Sequence, residues 1–123
     1  MTKYISIQNN NRALDGQIRI KYCDTFLTQL RGFTFRSRLT LDDGLLLVGT
    51  RDSRVDSSIH MLFVSFDLCV LWINSNMQVV DKVLAKSWRP AYFSKQPARY
   101  VLEIHPNRWN DFQVGDTVQF TNA

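Results

Sequence analysis

Apolar and polar residues alternate along much of the chain with a period of two, the signature of strands with one solvated face. Ile18, Ile20 and Tyr22 are set against Gln17, Arg19 and Lys21; Tyr100, Leu102 and Ile104 against Arg99, Val101 and Glu103; Val118 and Phe120 against Thr117, Gln119 and Thr121. Continuous apolar runs at 45–48, 59–64 and 68–73 predict strands buried on both faces. A further strand is predicted over 77–85. Asn74-Ser75-Asn76 joins it to its predecessor, and asparagine tolerates the positive φ of a tight hairpin. Helical signals are few. Asp24 can cap a helix through Phe26, Leu27 and Leu30 that stops at Gly32, and Asn107 can cap a second over 108–112. The polar stretch 49–57 and the segment 87–98, with Pro90 and Pro97, read as irregular connections. Without repeat, linker or low-complexity tract, residues 1–123 form one domain. The pattern predicts a mainly β, α+β fold of about eight short strands and two short helices. A small closed or nearly closed β-barrel, or a strongly curved sheet, would remove the edges so many strands leave exposed.

Composition narrows this picture. A chain of 123 residues and 14.4 kDa supports one core. With 45% hydrophobic and 21% charged residues, disorder and fibrous repeats are excluded. Ten Asp accompany a single Glu, Glu103, and ten Arg outnumber five Lys, a balance unlike that of long surface helices. The net charge of +4 is mildly basic and far from the density of a nucleic-acid-coating protein. The start, MTKYISIQNNN, lacks the apolar core of a signal peptide. The most apolar stretch, 61–73, carries Asp67 and falls short of the roughly 20 residues of a bilayer span. No membrane span and a cytoplasmic location are therefore expected. Cys23 and Cys69 are isolated, with neither CxxC nor zinc-ligand spacing, and buried thiols are the expectation.

Several segments together resemble the uncharacterised prokaryotic family known as domain of unknown function 192 (DUF 192). Arg31-Gly32-Phe33-Thr34-Phe35-Arg36 is similar to its R-G-L-M-F-R element, and Leu39, Asp43-Gly44 and Leu45-Leu46-Leu47 to its L-x-x-x-x-G-M-L-F segment. Ile59-His60-Met61-Leu62-Phe63-Val64 matches I-H-T-F-F-M, and Trp88-Arg89-Pro90 falls where the family has P-W-R. Ala98-Arg99-Tyr100-Val101-Leu102-Glu103-Ile104 is close to A-R-Y-V-L-E-L, and Gly115-Asp116 to a closing G-D. The resemblance implies a small β-rich domain and no particular activity. The departures bear on chemistry. Ser65 replaces a basic residue, Cys69 replaces a characteristic Asp, Asp67 stands where Pro is expected, and Asn107 takes a glycine position. Asp67 could replace the lost carboxylate only if the local backbone shifts.

The candidate chemistry is sparse. His60 is the best lone acid–base group, and His60 with Asp67 is the pair an enzyme would use. A Cys69–His60 pair is conceivable, but apolar neighbours would raise the thiol pKa. Two distant histidines make no metal site, and no phosphate-binding loop occurs, so neither metal nor cofactor is expected. Arginine carries more information. Arg31, Arg36, Arg38, Arg89 and Arg99 lie in or beside the family-like elements, and Arg99 and Glu103 share strand parity. They fix loops by holding carboxylates and carbonyls, or they line a pocket for a small anion or carboxylate with Phe35. The expected ligand-binding set is Arg31, Arg36, His60, Trp88 and Arg99. A weaker reading holds single-stranded nucleic acid on the basic and aromatic segment 86–109. The favoured reading is a non-enzymatic binding or accessory domain.

Overall fold

The computed structural model describes residues 3–23, 39–59, 61, 64, 66–89 and 91–122. Seven strands make one sheet: β1 Lys3–Asn9, β2 Arg19–Cys23, β3 Asp43–Ser53, β4 Leu68–Ile73, β5 Val79–Ala85, β6 Ala98–Ile104 and β7 Val118–Asn122. Their order is β5-β4-β6-β3-β2-β1-β7. Neighbours pair antiparallel except β2 and β3, which are parallel. The sheet is not a closed barrel. Its two edges meet only where they begin: Gln78 bridges Thr117, and the N–H groups of Val79, Gly115 and Val118 donate to Asp116, Val79 and Met77.

The alternating segments become β2, β6 and β7, and the apolar run 68–73 becomes β4, whose every residue is buried. The N-terminal strand went unread, although Ile5 and Ile7, both buried, alternate with Ser6 and Gln8. Four expectations need correction. First, 59–64 is no strand among its described residues. Ile59 makes an isolated bridge to Tyr92, and the Val64 N–H turns back onto the Met61 carbonyl. Second, the supposed loop after Gly49 is ladder as far as Ser53, with a register shift after Val48. Third, the helix capped by Asn107 is a 3₁₀ helix, Pro106–Asp111, capped by His105. Pro106 occupies its first turn, where a missing N–H costs nothing, and holds His105 extended before it. The helix expected from Asp24 lies outside the described residues, as do Phe35 and Arg38. Fourth, the positive φ in the 74–78 hairpin falls on Met77, at 64°, and not on an asparagine. Asn74 serves the turn through its side chain, whose Oδ1 accepts from the N–H groups of Asn76 and Gln78.

Because side chains alternate across a strand, the sheet builds two cores. Residues from all seven strands, including Ile7, Ile20, Leu46, Leu71, Leu102 and Val118, form the inner core, and Phe112 from the C-cap of the 3₁₀ helix joins it. The other core lies on the central strands. Leu45, Val70, Trp72 and Val101 pack there against Ile59, Met61 and Val64 from the connection before β4. Trp72 is fixed in that second core by its indole N–H, which donates to the Ser57 carbonyl at 2.8 Å.

Candidate functional site

β6 runs between β3 and β4 in the middle of the sheet. Its odd-numbered residues face the second core, where Val101 packs and where Glu103 stands opposite Leu45 on one side and Val70 on the other. A carboxyl flanked by two apolar strands is costly to ionise. Glu103 is 6% exposed, and burial alone pushes its pKa up to about 8. Among the described residues no hydrogen bond or ion pair reaches this carboxyl. Leu45 is in turn paired with Lys21. This half-buried cation therefore lies in the same row, between Leu45 and Tyr4 of β1, two strand spacings or roughly 10 Å from Glu103.

The sequence-selected residues divide. Arg31, Arg36 and His60 lie outside the described residues. Arg99 shares the face of Glu103 but its Nε donates to the Gly49 carbonyl at 3.0 Å, a jog that glycine permits. A Cβ on Gly49 would come within 2.9 Å of the Arg99 carbonyl oxygen. Trp88 is 54% exposed on the turn after β5. Asp67 is engaged at the turn after β5. Its Oδ1 accepts from the Ser87 N–H at 2.9 Å and its Oδ2 lies 3.5 Å from Lys86 Nζ. Cys69 points into the inner core, and desolvation raises its pKa to about 12. Both cysteines are buried and neither is in a disulfide, and burial in apolar surroundings disfavours the reactive thiolate.

Other arginines hold the architecture. Arg12 grips Asp116 with two nitrogens, at 2.8 and 2.9 Å, while Asn9 and the Gln113 N–H donate to the same carboxylate. These bonds hold Asp116 far below the usual carboxylate range. Arg108 is buried and donates to the carbonyls of Leu41 and Asp15 and to Asp111, and Arg54 donates to the Ser94 carbonyl. Lys82 lies over the Trp109 ring and donates to two carbonyls, Trp109 and Phe112. Among the described residues no three His, Cys, Asp or Glu side chains gather as metal ligands, and no helix is long and apolar enough to cross a membrane. An open groove of about 550 Å³ between β1, β7 and the 10–17 loop presents Gln8, Gln17 and Asn122, and its one cation, Arg12, is already paired. Its lining offers no group with the reactivity of Glu103.

Glu103 was passed over in the sequence except as a face-mate of Arg99. The signal was there: the chain's one Glu sits inside the apolar run of β6. Comparison with known proteins agrees with the motif resemblance. The model of DUF192, described as Uncharacterized ACR, matches residues 6–120. A UPF0127 protein of Thermococcus kodakarensis is 33% identical over 105 residues, covering 84% of this chain and 65% of that protein, a little under two thirds of its length. A UPF0127 protein of Pyrococcus furiosus is 32% identical over 95 residues, 77% of this chain and 78% of its own. Two crystal structures share the fold. A protein of unknown function from Novosphingobium aromaticivorans superposes with TM-score 0.81 at 16% identity, covering 96% of this chain and 84% of that one. A putative transcription regulator from Sinorhizobium meliloti gives TM-score 0.81 at 15% identity, covering 98% and 94%.

Proposed function

The chain belongs to the DUF192 family, and from that premise we propose that it is a non-enzymatic binding domain for a small anionic or carboxylate ligand. One observation carries this reading: a carboxyl on the central strand, buried among apolar side chains with no bond to the described residues. A neutral carboxyl in such a place is a hydrogen-bond donor waiting for an acceptor, and a ligand carboxylate is the acceptor it fits best. Lys21, in the same row, supplies the compensating charge. Arg31, Arg36 and His60 stay in the proposed ligand-binding set on the strength of their family-like motifs, and Arg99, tied to Gly49, shares the face of Glu103. Trp88, on the turn after β5, stays in the proposed set on its family-like motif. An enzyme working through His60 and Asp67 has less support, because Asp67 already caps the turn after β5.

The experiment is a thermal-shift screen of small mono- and dicarboxylates and inorganic anions near pH 6.5, with each compound recovered and checked by NMR. The expected result is a shift for some carboxylates, with the compound returned unchanged. Glu103→Leu should abolish the shift, while Glu103→Gln, which keeps a donor, should retain part of it. A panel without any shift, or equal shifts for wild type and Glu103→Leu, refutes the site. Chemical conversion of a bound compound refutes the non-enzymatic reading.

A further inference from the structure

After a short ladder the first two strands part. β1 pairs with β2 only at Lys3, Tyr4 and Ile5, and residues 10–18 carry the chain back to β2. A groove of about 550 Å³ follows that opening, lined by residues 6–10 from β1 and its continuation, by 12–14, 16 and 17 from the return, and by Thr121 and Asn122 of β7. The return is held rigidly. The Asn10 N–H donates to the Thr117 carbonyl and the Thr117 N–H to Asn11 Oδ1, both at 2.8 Å. Arg12 grips Asp116, buried Arg108 donates to the Asp15 carbonyl at 2.8 Å, and Leu14 packs against the inner core. Gly16 turns the chain with φ 85° and donates its N–H to the Leu14 carbonyl at 3.0 Å. The groove is therefore preformed, and little ordering entropy opposes a ligand that enters it.

The bonds that fix this wall use backbone groups and charged side chains, and the uncharged polar side chains of the groove are left over. Gln8, Gln17 and Asn122 are exposed, and among the described residues nothing bonds to their amides or to the hydroxyls of Ser6 and Thr121. Charge is balanced. Arg12 is the one charged side chain of the lining, and Asp116 neutralises it. An ion of either sign finds no free counter-charge here, and a wholly apolar molecule would strip water from the amides without replacing its hydrogen bonds. A hydroxyl-rich molecule replaces them. A side-chain amide carries an acceptor beside two donors, so one glutamine can bridge two neighbouring hydroxyls, while Ile7 and Leu14 in the lining meet the carbon edge of a sugar ring. The volume lies within the range of roughly 300–1,000 Å³ of small-molecule sites and has room for one or two such rings.

We propose that the groove between β1, β7 and the 10–17 segment is a second binding site, for an uncharged mono- or disaccharide held by the side-chain amides of Gln8, Gln17 and Asn122. The contrast between a wall tied down at nearly every residue and amides with no bond in the fold distinguishes the groove from an ordinary polar surface.

The test is an amide-resolved NMR titration of the full chain with glucose, galactose, mannose, N-acetylglucosamine and disaccharides of each, alongside phosphate, citrate and a short neutral Gly-Ser peptide. At least one saccharide should shift the resonances of residues 6–17 and 121–122, with an affinity that does not change between low and moderate salt. Gln8→Ala and Gln17→Ala should each weaken that binding about tenfold, the loss expected for one hydrogen-bonding side chain. Both should leave the melting temperature unchanged, because neither side chain bonds within the fold. Three outcomes overturn the proposal: no saccharide shifts the groove, phosphate, citrate or the peptide binds there more tightly than any saccharide, or saccharide affinity is indifferent to both substitutions. The groove and the Glu103 carboxyl are read by different resonances and different ligands, so failure at one leaves the other in place.

Discussion

At the scale of single residues, Glu103 ties stability to pH. Its pKa in the folded chain, about 8, exceeds that of an unfolded glutamate, so the folded state binds more protons between the two values. Stability therefore falls as pH rises through that window and levels off above about 8. Glu103→Gln, which has no proton to hold, should remove this slope and stabilise the protein at pH 7 by roughly 2–3 kcal/mol. Urea midpoints of both proteins from pH 5 to 9 decide it; parallel curves refute the assignment. The thiols give a simpler expectation. Cys23 and Cys69 are both 0% exposed, so an aromatic disulfide reagent should label neither until the protein unfolds, whatever the pH below about 9. Rapid labelling of native protein at pH 8 would contradict that burial. The thiols were legible in the sequence from their apolar neighbours. Asp67 was not, because its partner Ser87 is brought close only by the fold.

At the scale of elements, legibility follows the range of the forces. Strands with clear alternation or a long apolar run were readable, since side-chain parity decides which face is buried. The run 59–64 misled for the same reason: it is apolar because it covers the second core, and burial alone does not make a ladder. The helix expected over 108–112 is instead a 3₁₀ turn, Pro106–Asp111, because Pro106 begins it and His105 caps it. Gly49 shows what a single position can decide. It sits where β3 changes register against β6, with Arg99 bonded to its carbonyl. Gly49→Ala forces a Cβ to within 2.9 Å of backbone and should cost about 1–3 kcal/mol. Equilibrium denaturation measures the loss, and a wild-type midpoint would show that the two strands can separate freely there.

At the scale of the whole molecule, one carboxylate joins parts that the sequence keeps far apart. Asp116 receives Arg12 and Asn9 from the end of β1 and its continuation, and the Gln113 N–H from the turn before β7. Its own carbonyl accepts from Val79 on the opposite edge. Such coupling of distant segments is invisible to local pattern, which is why sequence reasoning found the strands but not their order or the open edges. Asp116→Asn should cost about 2 kcal/mol, a figure discounted for the partial exposure of Arg12. Since folding depresses the pKa of Asp116, its contribution is complete above the ordinary carboxylate range and drains away as pH falls below it. The gap between wild type and Asp116→Asn in denaturant midpoint should therefore shrink from pH 7 to pH 3; a constant gap would mean that the charge is immaterial.

The pairing of β1 with β7 has a consequence for the newborn chain. Asn9 and its partner Asp116 are 107 positions apart, and translation proceeds at roughly 5–20 residues per second. For several seconds β1 has left the ribosome while the strand that will shield its free side is still unmade. During that interval its bare backbone is a template on which a neighbouring nascent chain can build. Synthesis of β7 is what ends the exposure, so a pause in translating the stretch between β1 and β7 prolongs that aggregation-prone interval.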